Sequence, residues 1–120
     1  MANAIFVLHP SGLVAGADLS GEQFKFVKLD AAGDVVLCDT EGETVLGVLE
    51  NKPLAGEVAL VAAVGQCAVQ FGAIVAPGPI MTDVNGQAIA HTGTNVIAGY
   101  NITAQAGVPT GPELTKVVIR

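Results

Sequence analysis

The stretch 26–65, FVKLDAAGDVVLCDTEGETVLGVLENKPLAGEVALVAAVG, sets the tightest limit on what this chain can become. Short Val- and Leu-rich runs alternate with turn-forming clusters at 30–33 (DAAG), 39–42 (DTEG) and 51–56 (NKPLAG). Runs of about 4–8 β-branched and apolar residues, punctuated by Gly, Asp, Asn and Pro, specify short strands joined by tight turns. No long stretch carries the 3.6-residue period of a helical domain. The pattern returns after residue 80. Asp30-x-x-Gly33 before Val35-Val36-Leu37 is matched by Asp83-x-x-Gly86 before Gln87-Ala88-Ile89, and 44–49 (TVLGVL) by 95–102 (NVIAGYNI), with a one-residue slip. The expectation is an all-β chain: a small Gly-rich β-barrel or β-sandwich with short strands, a weak two-part repeat and an N-terminal arm. Fewer than about one residue in six should be helical.

A length of 120 residues fits one domain with a modest core. Residues 1–17 read as an arm or edge strand and 18–120 as a single β-rich domain. The arm opens with Ala4-Ile5-Phe6-Val7-Leu8, apolar side chains that are costly to leave in water. Residues 24–29 read as a strand with Phe24 and Phe26 on one face, Lys25 opposite, and Lys28 carrying the Phe face to the rim. Strands follow at 35–38 and 44–49. The run 57–64 is the clearest strand; both its faces are apolar, which places it centrally or beneath a subunit contact. Gly65-Gln66 is expected to break it before 67–71. The Pro77-Gly78-Pro79 segment reads as a rigid surface turn between two halves, with further strands at 80–82, 87–90, 95–103 and 116–120, and a loop at 104–112. Single helical turns are allowed at 73–75 and 103–106. Gly33, Gly47, Gly56, Gly86 and Gly99 are candidates for turn or close-packing positions.

Composition excludes several function classes. With 51% hydrophobic and 13% charged residues the chain is no disordered segment, and it carries fewer charges than a soluble monomer usually displays, so a partner is expected to cover apolar surface. Eleven acidic against 5 basic residues, scattered, leave no basic stripe to neutralise phosphates, which argues against nucleic-acid binding. The start lacks the basic region of a signal peptide. The uncharged run 58–82 is interrupted by Gly, Gln and Pro, so it reads as buried strands and turns and not as a membrane span. Cys38 and Cys67 could form one disulfide; without a secretory signal, two small buried thiols are expected instead.

Catalysis finds little in the residues. His9 precedes Pro10 in the N-terminal segment and His91 sits in a turn, Ser11 and Ser20 lie in no nucleophile elbow, and two His with two distant Cys make a poor zinc set. Asp39, Glu41 and Glu43 put three carboxylates on one side of an extended segment, but a calcium loop needs more oxygen ligands in a defined turn. A solvated acidic hairpin tip is the expected reading. Residues 107–112 (GVPTGP) lack the Lys and following helix of a phosphate loop. Neither a metal nor another cofactor is expected.

The segment 24–30, the Gly47-Val48-Leu49-Glu50-Asn51-Lys52-Pro53 run and Gly56-Glu57-Val58, in that order and followed by the 58–64 strand, 73–85, Asn95-Val96-Ile97-Ala98-Gly99 and a terminal strand, resemble the head-decoration, or capsid cement, proteins of tailed bacteriophages. The resemblance spans roughly 18–120, with Asn51-Lys52-Pro53 its most distinctive feature. The chain departs from the family pattern at 100–104 and in a longer, Pro-rich 104–113. The resemblance implies a non-enzymatic protein, made in the host cytoplasm, that sits on the outer capsid surface of the virion and stabilises the expanded head. It implies a homotrimer near local three-fold positions, with the major capsid protein as partner and no contact with DNA or membrane. Ile5, Phe6, Val7 and Leu8 are the candidates for an arm contact with capsid or subunit, and Asn51, Lys52 and Pro53 for a loop contact. The rival is a carbohydrate- or receptor-binding β module of a viral fibre or adhesin, which would group aromatic side chains on a groove; no Trp, one Tyr and 4 Phe leave few to do so. A further rival, a small enzyme subunit, would need catalytic residues from another chain.

Overall fold

Ten short strands in two antiparallel sheets, with no helix among the described residues, make up the computed structural model, which describes residues 7–73, 75–102 and 114–119 (backbone alone for 7 and 114–118). In chain order they are β1 (Val7–Leu8), β2 (Phe26–Leu29), β3 (Val35–Leu37), β4 (Gly47–Leu49), β5 (Val61–Ala62), β6 (Val64–Gln70), β7 (Gly78–Thr82), β8 (Ala88–Ala90), β9 (Gly99–Asn101) and β10 (Leu114–Ile119). One sheet runs β3-β2-β4-β5, the other β1-β6-β10-β9-β7-β8.

The four-stranded sheet is buried on both faces, as its continuous apolar strands dictate. Phe26 and Val48, paired across β2 and β4, point into a core shared with Cys67, Val69, Phe71 and Ile80 of the larger sheet. Val27, Leu49 and Val61 point the other way, onto Ala15, Leu19 and Ala59. Segment 13–19 thus covers the outer face. It is tied there by Ala15 N donating to Glu57 O, Gly16 N to Val35 O and Leu19 N to Pro53 O, at 2.8, 2.8 and 2.9 Å.

Two groups of strands pair alike. β2 joins β3 through Val27↔Leu37 to Leu29↔Val35, and β7 joins β8 through Ile80↔Ala90 to Thr82↔Ala88. The turns between them close the same way. Asp30 Oδ1 accepts from the backbone N–H of Ala32 and Asp34, and Asp83 Oδ1 from those of Asn85 and Gln87. Gly33 and Gly86 occupy the left-handed position of each turn, with φ of 85° and 74°. β4 lies against β2 through Val27↔Gly47, and β9 against β7 through Ile80↔Gly99. Val48↔Ala62 then answers Tyr100↔Val118. Finally, Ala15 bridges Val35 as Phe71 bridges Ala88, and Val14 faces Val58 as Gln70 faces Leu114.

Several sequence expectations need correction. Phe24 is outside β2; its φ is 67°, so it shares no strand face with Phe26. The chain does not break at Gly65-Gln66. The run 57–64 is strand only at 61–62 and 64, with Val58 in an isolated bridge; the interruption falls at Ala63, and β6 runs through 65–66 because β10 supplies a continuous ladder from Ile119↔Gly65 to Leu114↔Gln70. The supposed turn at 77–79 gives Gly78 and Pro79 to β7, where Pro79 pairs with Tyr100 and its carbonyl accepts from His91 N. The run 44–49 is strand only at 47–49, and within 95–102 the strand is 99–101; residue 103 lies outside the described residues. The possible helical turn at 103–106 lies outside the described residues; 73 and 75 are not helical.

Candidate functional site

Exposed apolar side chains recur along the run 54–64 and at Leu8 beside it, as they also do at Leu29, Val84, Val96, Ile97 and Ile102. In the segment leading into β5 the side chains alternate: Ala59 and Val61 are buried, while Val58 (67% exposed) and Leu60 face out. Leu54 and Val64 are also exposed, and Leu8 sits across from Val64 in the β1–β6 ladder. Asn51 fixes this arrangement. Its Nδ2 donates to Val58 O at 2.9 Å and its Oδ1 accepts from Leu60 N at 3.0 Å, so one side chain replaces a neighbouring strand. Pro53 is buried behind the strip, and Lys52 is exposed next to it. His9 pairs with Glu50, whose backbone N–H donates to Leu60 O, so the arm residue after Leu8 is held against the same run. Ile5, Phe6 and the Val7 side chain lie outside the described residues. The structure therefore brings Leu8 and Asn51–Pro53 to one region. The residues missed from sequence were Leu54, Val58, Leu60 and Val64; the last three carried a signal in the apolar alternation of 57–64, whereas Leu54 lay in the 51–56 loop.

A charged cluster ties Lys28 of β2 to the segment that follows β3. Lys28 Nζ donates to Asp39 Oδ1 at 2.7 Å and to Glu43 Oε1 at 2.9 Å, while Glu43 Oε2 accepts from the N–H of Asp39 and Thr40. Hydrogen bonds from Lys28 hold the Asp39 carboxyl below its usual range. Burial works to raise the Glu43 carboxyl, but Lys28 and the two backbone amides outweigh it and hold it below its ordinary value. The Lys28 ammonium is correspondingly raised by Asp39 and Glu43. Depressed carboxylates add stability above the carboxylate range and lose it as pH falls through their lowered values; the raised ammonium loses its share only in strong alkali. Melting temperature should therefore hold steady between about pH 5 and 9 and fall below about pH 4. Lys28→Met should flatten that acid limb, and a limb unchanged by the substitution would contradict the cluster's role. Asp39 and Glu43 are thus occupied by a side-chain cation, and no group of three His, Cys, Asp or Glu among the described residues could hold a metal ion.

Both cysteines are free and buried, and burial is the main force pushing each thiol up to about 12. Such thiols are poor nucleophiles. His91 hands Nε2 to the Asn95 carbonyl at 2.6 Å, within its own turn.

A separate cleft of about 320 Å³, of mixed polar and apolar lining, is formed by Ser20, Gly21, Gln23, Phe24, Lys52 and Gln70. Phe24 is the non-glycine residue with positive φ among the described residues, a conformation that costs about 1–3 kcal/mol. Two backbone hydrogen bonds hold it: Phe24 N donates to Leu49 O at 2.6 Å, and Phe24 O accepts from Gln70 N at 2.8 Å.

Comparison of this chain with protein-family models, with curated proteins and with solved structures finds no match.

Proposed function

We propose that this protein is a non-enzymatic cement protein that binds the outer surface of a bacteriophage capsid and stabilises the expanded head. The observation that carries the proposal is the exposed apolar run Leu54, Val58, Leu60 and Val64, with Leu8 of the arm beside it. Exposed apolar side chains gathered along one run are the kind of surface a partner covers. Its hydrogen-bond framework, from Asn51 and Glu50, makes it a rigid face and not a loose loop. The resemblance of 18–120 to head-decoration proteins supplies the partner, the major capsid protein, and the arrangement, a homotrimer at local three-fold positions. With net charge −6 the chain has no affinity for the packaged DNA to offer. It is made in the host cytoplasm and ends on the virion exterior.

The fold suits that task. We read the chain as a two-part repeat in a sandwich-like arrangement, supported by the matching registers of β2-β3-β4-β5 and β7-β8-β9-β10 and by the twin Asp–Gly turns. β6 belongs to both parts, continuing the run that faces Val14 and opening the ladder to β10.

Adding the protein to undecorated expanded heads of its own virus should raise the temperature at which they rupture, saturating at a fixed number of copies per head. Heads whose rupture temperature does not change at saturating protein would overturn the assignment. Sedimentation of the free protein at micromolar concentration should give three times the chain mass; a strict monomer would overturn the free trimer.

A further inference from the structure

We propose that the cleft beside Phe24 binds a pyranose ring of a glycan, a second activity separate from the apolar strip. Its groups have the chemistry for one. Gln23 Nε2 donates to Glu50 O and Gln70 Nε2 to Gln23 O, both at 3.0 Å. Because both partners are carbonyls, each carboxamide is fixed with its nitrogen engaged and its Oε1 left to accept. Lys52 is exposed, forms no ion pair among the described residues, and brings up to three N–H donors to the rim. Phe24, half-buried, lines the cleft and brings the aromatic side chain among its residues. Two acceptors, one cationic donor and an aromatic side chain match a ring that alternates hydroxyl groups with a C–H face. A purely anionic ligand would meet one cation and two amide oxygens on a chain of net charge −6, and an apolar ligand would leave those oxygens unpaired.

The cleft is also where the two-part repeat is uneven. The span from Gly16 to Phe26 is longer than its counterpart from Gly72 to Pro79, and Ser20, Gln23 and Phe24 lie within the longer span. A strained backbone in an insertion, held by hydrogen bonds from two other strands, is expected where a side chain must be presented and not merely packed.

The test is an NMR titration of the labelled full-length protein with methyl glycosides of glucose, galactose, N-acetylglucosamine and glucuronic acid, with glycerol and inorganic phosphate as controls. At least one glycoside should give saturable shifts at the Gln23 and Gln70 side-chain amides, with Kd on the order of 1 mM. Phe24→Gly, which relieves the positive φ but gives up the half-buried ring, should stay folded while weakening that binding about tenfold. Lys52→Ala should weaken it less. No saturable shift with any glycoside, an equal response to glycerol or phosphate, or full binding by the Phe24→Gly protein would each overturn the proposal. Because attachment to heads is measured separately, failure here leaves the cement assignment standing, and failure there leaves the cleft standing.

Discussion

Gly47→Ala is expected to cost about 3 kcal/mol or more. Gly47 begins β4 in the middle of the four-stranded sheet, between β2 and β5, and a Cβ there would lie 2.2 Å from the Ala62 carbonyl oxygen and 2.9 Å from Val61 Cγ1. Neither neighbour can give way. Ala62 O is backbone, and Val61 is fully buried among Ala15, Leu19 and Leu49. Relief would require β4 and β5 to separate, exposing the Val48↔Ala62 pair and the core behind it. Gly33→Ala, with open space around its Cβ, should cost only the strain of its positive φ, about 1 kcal/mol. Gly21→Ala, with open space and no such φ, should change stability by less than about 0.5 kcal/mol. Urea denaturation of the three variants reads these values directly. A loss below about 1 kcal/mol for Gly47→Ala would contradict the close approach of β4 and β5.

How much of this was legible in the sequence depended on how local the cause was. The two Asp-x-x-Gly turns were readable because each is closed by its own residues: the Asp carboxylate caps amides two and four positions on, and the glycine takes the left-handed step. Gly47 was marked as a packing or turn position, but its enclosure by Ala62 depends on which strand lies beside it. Phe24 misled because Phe-Lys-Phe alternates like a strand. What turns it out of β2 is a pair of distant hydrogen bonds, from Gln70 and to Leu49, that no local pattern announces. Gly65-Gln66 looked like a breaker for the same kind of reason: β10, far away in sequence, carries the strand through. Pro79 looked like a boundary, yet it is tolerated near the start of β7, where a missing N–H is least damaging.

The candidate sites divide in the same way. The strip at 57–64 was visible as apolar residues on both faces of one run, which left open whether a partner or the chain itself covers them; Val58 and Leu60 are the half that the chain does not cover. Asn51-Lys52-Pro53 stood out by resemblance. Physically its members act differently, Asn51 as a backbone clamp, Pro53 as buried packing and Lys52 as an exposed cation shared with the Phe24 cleft. That cleft draws on residues 20–24, 52 and 70, so it exists only once the sheets are assembled.

Attachment to the shell is the effect with the widest predicted range. Val58→Asp with Leu60→Asp places two carboxylates on the apolar strip without touching the core, since both side chains face out. The double variant should melt close to the wild type, with stability lowered by less than about 1 kcal/mol. Its affinity for heads should fall at least tenfold, about 1.4 kcal/mol, because desolvating unpaired charge at a contact is costly. Removing residues 2–9 should also weaken attachment more than it weakens the fold, because Leu8 and the His9–Glu50 pair are lost from the edge of the strip. The most direct measurement is co-sedimentation of wild-type, double-Asp and truncated proteins with undecorated expanded heads, with melting curves of the free proteins alongside. The account predicts saturable pelleting of the wild type and little of either variant at the same concentration, with all three folded. Wild-type protein that stays in the supernatant, or a folded double-Asp variant that pellets as well as the wild type, would contradict it.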